Sequence, residues 1–398
     1  MKFSDVIGHT GLKNRLVEML SQNRLSHALL FTGKEGAGAL PLAVAYSQYI
    51  LCEKVNARLN PPGPSLFGDE PASDSPLEDA CGVCSACSKA ASLVHPDIHF
   101  SYPVVTKKSG DKPVSTDYIT EWREFFAELP YGNAYDWLQF IGAENRQGNI
   151  TAEECNDIIH KLSLKSFESG YKILILWMPE YLGKEGNKLL KLIEEPPANT
   201  LFILVAEHEN EVLPTIVSRT QVIRIGPIES ADLEKALVEK GNISAIQARQ
   251  IASVAGGNYR ECIQLLQHAG EDWQAMLREW MNAIVKSSRI AQVKWIEDIS
   301  KQGREKQKQF LRFFNHMLAQ AIRMNVMGDI ELPIPENEKD FALRLNKMAG
   351  VEQLEAMIEE LDKASYHIER NGNAKMLFHA LTIRLYHIIA DKSVILTS

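Results

Sequence analysis

The sequence predicts an α/β domain followed by a small helical domain and a larger helical one. Three observations carry this. A short apolar run, His27-Ala-Leu-Leu-Phe31, passes into the glycine-rich turn Gly33 to Gly38 and then into a helix-patterned stretch from Leu42 to Leu51. Lys172 to Trp177 and Leu201 to Ala206 are continuous apolar runs of the kind that form buried parallel strands. From Ser230 onward the strand character disappears and apolar residues recur at helical spacing.

Each element has a local reason. Strand, glycine turn and helix in that order open a nucleotide-binding α/β unit, in which the helix N-terminus faces phosphate. Residues Asn56 to Asp79 are rich in Pro, Ser, Gly and acids and read as an exposed loop, as does Lys107 to Thr116. Thr151 and Glu154 have capping-box spacing ahead of Ile158, Ile159 and Leu162, which predicts a helix. Asn187 to Glu195 reads as a helix stopped by Pro196 and Pro197. Leu233 and Leu237, then Ile251 and Val254, mark the small helical domain. Glu271 to Ser398 is helix-patterned, broken mainly at Gly328 to Pro335. The expected bounds are 1–227 for the α/β domain, 228–270 for the small helical domain and 271–398 for the larger one. There is no internal repeat.

A chain of 398 residues is too long for one core, in keeping with this division. Lys2, Asp5, His9 and Lys13 interrupt any signal-peptide pattern near Met1, and no stretch approaches the ~20 apolar residues that span a bilayer. A cytoplasmic protein with no membrane partner is expected, its cysteines reduced and available to metals. The formal charge of −8 argues against an autonomous nucleic-acid binder, which needs a basic surplus to displace counterions from phosphate.

A working P-loop reads Gly-x-x-x-x-Gly-Lys-Ser/Thr, with backbone amides around phosphate, Lys on the β and γ phosphates and the hydroxyl on magnesium. Here the glycines Gly33, Gly36 and Gly38 are present, but Ala39 stands in place of Lys and Leu40 in place of Ser or Thr. Lys34 lies at the wrong end of the loop to substitute, and Glu35 adds negative charge. The strand Lys172 to Trp177 ends in Trp177-Met178-Pro179 where an Asp-Glu pair would hold the metal and orient water. Glu180 follows three residues late, and a structural role at the surface is expected of it rather than catalysis. Nucleotide binding should be weak or absent, with no intrinsic ATPase activity.

Cys52 together with the run Cys81-x-x-Cys84-x-x-Cys87 supplies four thiols in a chain whose compartment disfavours disulfides. Four thiolates suit a closed, structural tetrahedral zinc, and an iron–sulfur cluster is also compatible with the spacing. Cys155 and Cys262 lie in helix-patterned segments and read as buried thiols.

These pieces in this order resemble the bacterial DNA polymerase III clamp-loader family of AAA+ proteins, across nearly the whole chain. The resemblance begins with Phe3-Ser-Asp-Val-Ile-Gly8-His and continues through Arg24-Leu-Ser-His27-Ala-Leu-Leu-Phe31, the cysteines after the glycine-loop helix and His95-Pro96-Asp97. Its most specific parts are Asn187-Lys-Leu-Leu-Lys-Leu-Ile-Glu-Glu-Pro-Pro197 and Leu213-Pro-Thr-Ile-Val-Ser218-Arg219-Thr220. The second resembles the family's Ser-Arg-Cys motif, with Thr220 for Cys. It implies that Arg219 is presented across a subunit boundary to a neighbour's ATP, a task suited to a guanidinium.

The resemblance further implies a zinc module at 52–87 within an AAA+ domain, a helical lid over 228–270 and a helical collar over 271–398. Gly257-Asn-Tyr-Arg260 resembles the family's second sensor; without a phosphate to read, Arg260 is at least as well explained by a structural ion pair. Glu369-Arg-Asn-Gly-Asn373 with Leu377, Leu381 and Leu385 resembles the collar helix, although such a stripe alone is more often intramolecular core. The sequence departs from the family near Ala206-Glu207, which lacks the first sensor's polar group, and between Leu182 and Asn187, where it is one residue short.

The implied partners are the motor and delta subunits, the sliding clamp and primer-template DNA. Two rival functions are an active AAA+ motor, opposed by Ala39, Leu40, Trp177 and Met178, and a zinc-dependent nucleic-acid-binding module, opposed by the acidic balance.

Overall fold

The computed structural model describes residues 1–59, 78–106, 110, 112–143, 146–168, 170–241, 243–267, 273–327, 336–369 and 372–390. The chain divides into two compact units, Met1–Gln264 and Leu265–Ser398. The first unit opens with α1 (Thr10–Ser21), β1 (Ala28–Thr32), α2 (Ala39–Leu51), α3 (Glu53–Leu59), α4 (Ser85–Ala91) and β2 (Ile98–Ser101). It continues with α5 (Ile119–Glu128), α6 (Ala134–Phe140), α7 (Ala152–Ser163), β3 (Lys172–Trp177), α8 (Leu190–Glu194), β4 (Thr200–Ala206), α9 (Pro214–Val217) and β5 (Gln221–Arg224). The helices α10 (Ser230–Gly241), α11 (Ala245–Ala255) and α12 (Tyr259–Gln267) follow, the last running past the unit boundary.

Among the described residues the five strands form one parallel sheet in the order β2-β3-β4-β1-β5. Parallel strands need both faces covered, and the alternation of side chains along them assigns the layers. Leu29 and Phe31, Ile173, Ile175 and Trp177, and Leu201, Ile203 and Val205 enter one core with α1, α2, α5 and α6. Leu30, Leu174, Leu176, Phe202 and Leu204 enter the other with α7, α8 and α9. Every residue of α2 is buried, which explains its lack of a polar face. Trp122 of α5 and Trp137 of α6 are fully buried and meet edge to face at 5.4 Å, extending the first core over β2 and β3.

The structure refines several sequence expectations. Residues 56–59 belong to α3 rather than to a loop, because the Asn56 side chain caps the end of α2 by donating to the carbonyls of Ile50 and Cys52; residues 60–77 lie outside the described residues. Part of the second expected loop forms a 3-10 turn, Ser115–Tyr118, while 107–109 and 111 are outside the described residues. The helix expected over 187–195 is α-helical only from Leu190, after a 3-10 stretch Pro179–Leu189 interrupted at Gly183. It ends before Pro196 as expected.

Thr151 caps α7 by accepting from the Glu154 amide at 3.1 Å, but Glu154 does not complete a capping box. Its fully buried carboxylate instead accepts from the amide and hydroxyl of Ser115, and burial raises its pKa. Thr151→Ala should cost about 1 kcal/mol, read as a lower melting temperature, with Thr151→Ser close to the parent. An unchanged Thr151→Ala midpoint would show that the cap is dispensable.

The second unit is helical, with α13 (Trp273–Val285), α14 (Arg289–Ser300), α15 (Arg304–Met327), α16 (Glu336–Met348), α17 (Val351–Glu369) and α18 (Ala374–Ala390). Its core centres on Trp280 and Trp295, stacked at 4.4 Å and ringed by Phe310, Phe314 and Phe378. Leu381 and Leu385 of α18 are buried in this core, so that stripe serves the unit's own packing. The expected break at 328–335 lies outside the described residues. No described helix is long and apolar enough to cross a membrane.

Candidate functional site

The glycine loop keeps its backbone geometry. Gly33 donates to the carbonyl of Ala206, tying the loop to the end of β4, and Gly36 and Gly38 have left-handed φ values of 68° and 92°. Gly38 is the N-cap of α2. Ala39 and Leu40, where Lys and a hydroxyl would act, are buried in the core. Lys34 is exposed. At the two positions where a P-loop neutralises γ-phosphate and ligates magnesium, the loop thus carries neither a cation nor a hydroxyl.

Parts of the same chain occupy both sides of this loop. A Cβ on Gly36 would fall 1.7 Å from Oδ1 of Asn258, and one on Gly38 would fall 3.0 Å from the Tyr131 ring. The Tyr259 amide donates to the Gly36 carbonyl at 3.1 Å. Tyr131 is buried, accepts from the Ile7 amide at 2.8 Å and packs edge to face on Tyr259 at 4.9 Å. Burial pushes its hydroxyl pKa upward, so the ring stays neutral.

Glu35 accepts from Nδ2 of Asn133 at 2.7 Å and from Nδ2 of Asn258 at 3.3 Å. Arg260, 5 % exposed, makes a two-pronged pair with Asp136, Nε to Oδ2 at 2.5 Å and Nη2 to Oδ1 at 2.6 Å, and its Nη1 lies 3.8 Å from Glu35. The sensor-like arginine is thus in the ion pair that the sequence left open as one of its two readings. A fork-to-carboxylate pair of this kind is a strong, directional interaction.

At the end of β3, Trp177 and Met178 are buried and offer no carboxylate. Glu180 is structural, but it is not a surface residue in the ordinary sense. Its Oε1 accepts from the amides of Glu207 at 2.6 Å and His208 at 2.8 Å, its Oε2 is buried, and burial raises its pKa. Asp97 of the His95-Pro96-Asp97 segment accepts from the amides of Phe167 and Glu168, anchoring the chain ahead of β3.

Arg219 follows α9 and precedes the edge strand β5. It pairs through Nε with Glu194, at the end of α8, and donates through Nη1 to the Thr215 carbonyl at 2.9 Å and to Ser218 Oγ at 3.3 Å. About a third of its side-chain surface is exposed. The register locates it. Gln221 pairs with Leu29 and Arg224 with Thr32, so Arg219 lies beyond the start of β1 while the glycine loop follows its end. Arg219 therefore lies at the opposite end of β1 from its own loop.

Cys52, Cys81, Cys84 and Cys87 come together, their sulfurs all within 4.8 Å of one another. Cys52 ends α2, Gly82 turns the chain with a φ of 73°, and Cys84 caps α4, whose first turn carries Cys87. A tetrahedral ion with metal–sulfur bonds of about 2.3 Å requires sulfurs about 3.8 Å apart, and Cys81 and Cys87 are 3.9 Å apart. The Cys81 amide donates to Cys52 Sγ at 3.3 Å and the Cys84 amide to Cys81 Sγ at 3.4 Å, the outer contacts that support thiolate ligands. Burial raises the Cys52 and Cys87 thiols; at Cys81 burial is outweighed by bonds from the backbone and from neighbouring thiols, which lower its pKa to about 6. The cluster fits a single tetrahedral ion such as zinc. Cys155 and Cys262 are separate and buried.

Sequence reasoning missed the segment Tyr131–Asp136. A signal was present in Asn133 and Asp136, which form a complete capping box at the start of α6, but nothing local says that this helix faces the glycine loop.

A parallel sheet with a glycine loop between an inner strand, β1, and a buried helix defines a protein of the P-loop class, here with the loop's reactive side chains replaced. The chain belongs to the DNA polymerase III, delta subunit family, whose model matches residues 8–63 and 64–229; this is the clamp-loader AAA+ family that its motifs resemble. It is similar to DNA polymerase III subunit tau of Bacillus subtilis (strain 168), 21% identical over 416 residues, covering 96% of this chain and 61% of that protein. It is also similar to subunit delta' of the same organism, 25% identical over 251 residues and covering 63% and 56% of the two chains. With subunit delta' of Pseudomonas aeruginosa the identity is 25% over 195 residues, covering 49% and 41%. The chain thus spans at most about three fifths of the length of these relatives.

Proposed function

We propose that this chain is the delta-prime-type subunit of a DNA polymerase III clamp loader, a subunit that hydrolyses no nucleotide and lends Arg219 to the ATP of a neighbouring motor subunit. The observation that carries the reading is a disarmed loop paired with a partly exposed arginine at the opposite end of β1 from that loop. An arginine there that acts on a nucleotide must act on another molecule's. Similarity is shared between tau and delta' relatives, and Ala39 and Leu40 favour the delta-prime assignment.

In this reading 1–227 is the AAA+ domain, 228–270 the lid and 271–398 the collar that joins the motor and delta subunits. The stripe of Leu381 and Leu385 is already used within its own unit, so association would use outer faces such as those carrying Ile290 on α14 and Ile383 on α18, both exposed. Cys52, Cys81, Cys84 and Cys87 hold a structural zinc. Clamp and primer-template DNA are engaged by the whole complex, in keeping with the net charge of −8 on this chain.

Reconstitution with the motor subunits tests the reading, by measuring assembly and clamp-stimulated ATPase for the parent and Arg219→Ala. ATPase by the purified chain alone at a motor subunit's rate would overturn it. The Glu194 pair adds a finer prediction. A half-exposed pair of this kind is worth about 0.5–1 kcal/mol, so Glu194→Gln should free Arg219 and raise the ATPase at limiting partner by about two- to fivefold. Glu195→Gln serves as the control, and a rate equal to the parent's would mean that Glu194 does not restrain the arginine.

A further inference from the structure

The glycine loop has a ligand already, supplied by the chain itself. We infer that the segment Tyr131–Asp136 is the resident occupant of this loop, bonding it to α12 from within and excluding nucleoside phosphates as a class. The inference deepens the proposed absence of nucleotide and rests on that reading, but it stands on separate residues from Arg219.

Four contacts place the segment. The Tyr131 ring lies against Gly38, at the N-terminus of α2, where a phosphate would find unpaired amides. Its hydroxyl holds the Ile7 amide. Asn133 holds Glu35 of the loop itself. Asp136 holds both prongs of Arg260, the cation that faces the loop from α12.

Asn258 and Tyr259 complete the bridge from the other side, one filling the space that a side chain on Gly36 would need and the other bonding the Gly36 carbonyl. The result is a network in which Ile7 bonds Tyr131, Glu35 accepts from both Asn133 and Asn258, and Arg260 pairs with Asp136 and lies 3.8 Å from Glu35, the chain itself joining Tyr131 to Asn133 and Asn258 to Arg260. In it two carboxylates take the place of a phosphate's negative charge. A nucleotide would have to displace a buried aromatic ring, enter beside Glu35 and Asp136, and break a buried ion pair; each step opposes an anion.

The consequence is that the α12 end of this unit is held by the chain's own side chains whether or not ATP is present. Hydrogen exchange on the full chain tests this, following 33–40 and 259–264 in the parent, Asp136→Asn and Glu35→Gln, each with and without millimolar Mg-ATP. The parent should show the same protection with and without ATP. Asp136→Asn should speed exchange at 259–264 by about tenfold or more, since breaking one side of a buried pair is costly. Glu35→Gln, which keeps the shape and removes the charge, should speed it less.

ATP-dependent protection of 33–40 in the parent would overturn the inference. So would exchange at 259–264 unchanged in both variants. If Asp136→Asn does not fold, Glu35→Gln and Tyr131→Phe, which loses only the bond from Ile7, decide the question by the same readout. Arg219→Ala lies outside this network and should leave exchange in both segments unchanged, so failure of the trans-arginine reading and failure of this one are separately visible.

Discussion

Replacing Arg219 with Ala should leave the chain folded and the complex assembled, and should lower ATP turnover at the neighbouring site by about a thousandfold or more. The magnitude is that of a guanidinium supplied in trans to a phosphoryl-transfer centre, where it stabilises charge that develops beyond what the site's own Lys and magnesium neutralise. Folding should be spared because the side chain is partly exposed and its ion pair with Glu194 is a surface one. In a complex with several motor sites the total rate falls by the share of the site this chain faces, so single-site measurement is needed. Arg219→Lys should recover little, since a point charge lacks the planar fork. Full turnover with Arg219→Ala would remove the trans role.

Stripping metal from the cysteine cluster should have the next largest effect. About one zinc per chain is expected, released by a strong chelator together with loss of hydrogen-exchange protection over 78–91. A bound ion would contribute to folding directly, because four sulfurs drawn within 4.8 Å otherwise retain protons or repel one another. The module is also held by apolar packing, with Cys87, Ala86 and Ala90 buried, so local rather than global unfolding is expected. A loss of about 3 kcal/mol would lower the melting temperature by roughly 10 °C for a unit of this size. Cys84→Ala should reproduce much of the effect. A metal-free chain with unaltered melting and exchange would exclude a structural ion.

Much of the architecture was legible because it rests on local chemistry. The stretches Ala28–Phe31 of β1, Ile173–Trp177 of β3 and Leu201–Ala206 of β4 are continuously apolar, as strands of a sheet covered on both faces are, and both faces are covered. Thr151 announced the start of α7 by its hydroxyl, and Pro196 announced the end of α8 by lacking an amide. The triple cysteine spacing located three of the four sulfurs, and Cys52, which ends α2, joined them as the fourth thiol a tetrahedral site needs, in the place after the glycine-loop helix that the resemblance implies.

Other features were hidden because they depend on distant pairs. Glu154 looked like half of a capping box, but Ser115, 39 positions away, offers its carboxylate two donors. Glu180 looked like a solvated surface acid until the loop after β4 brought two amides to it. The bundle stripe of Leu381 and Leu385 had the same period whether turned toward a partner or inward, and periodicity alone cannot choose.

The glycine loop divides the two kinds of knowledge most clearly. By itself the sequence determined that this loop lacks the lysine and the hydroxyl of a working P-loop, because Ala39 and Leu40 carry neither charge nor hydroxyl, and chemistry absent from a side chain cannot be restored by folding. It also determined, through its motifs, which arginine to ask about. Only the tertiary structure decided what the glycines now accommodate. Tyr131 and Asn258 reach Gly38 and Gly36 from 93 and 222 positions away in sequence, and Asp136 meets Arg260 across 124. Such contacts are set by how helices pack on a sheet, and a composition or a local period carries no record of them.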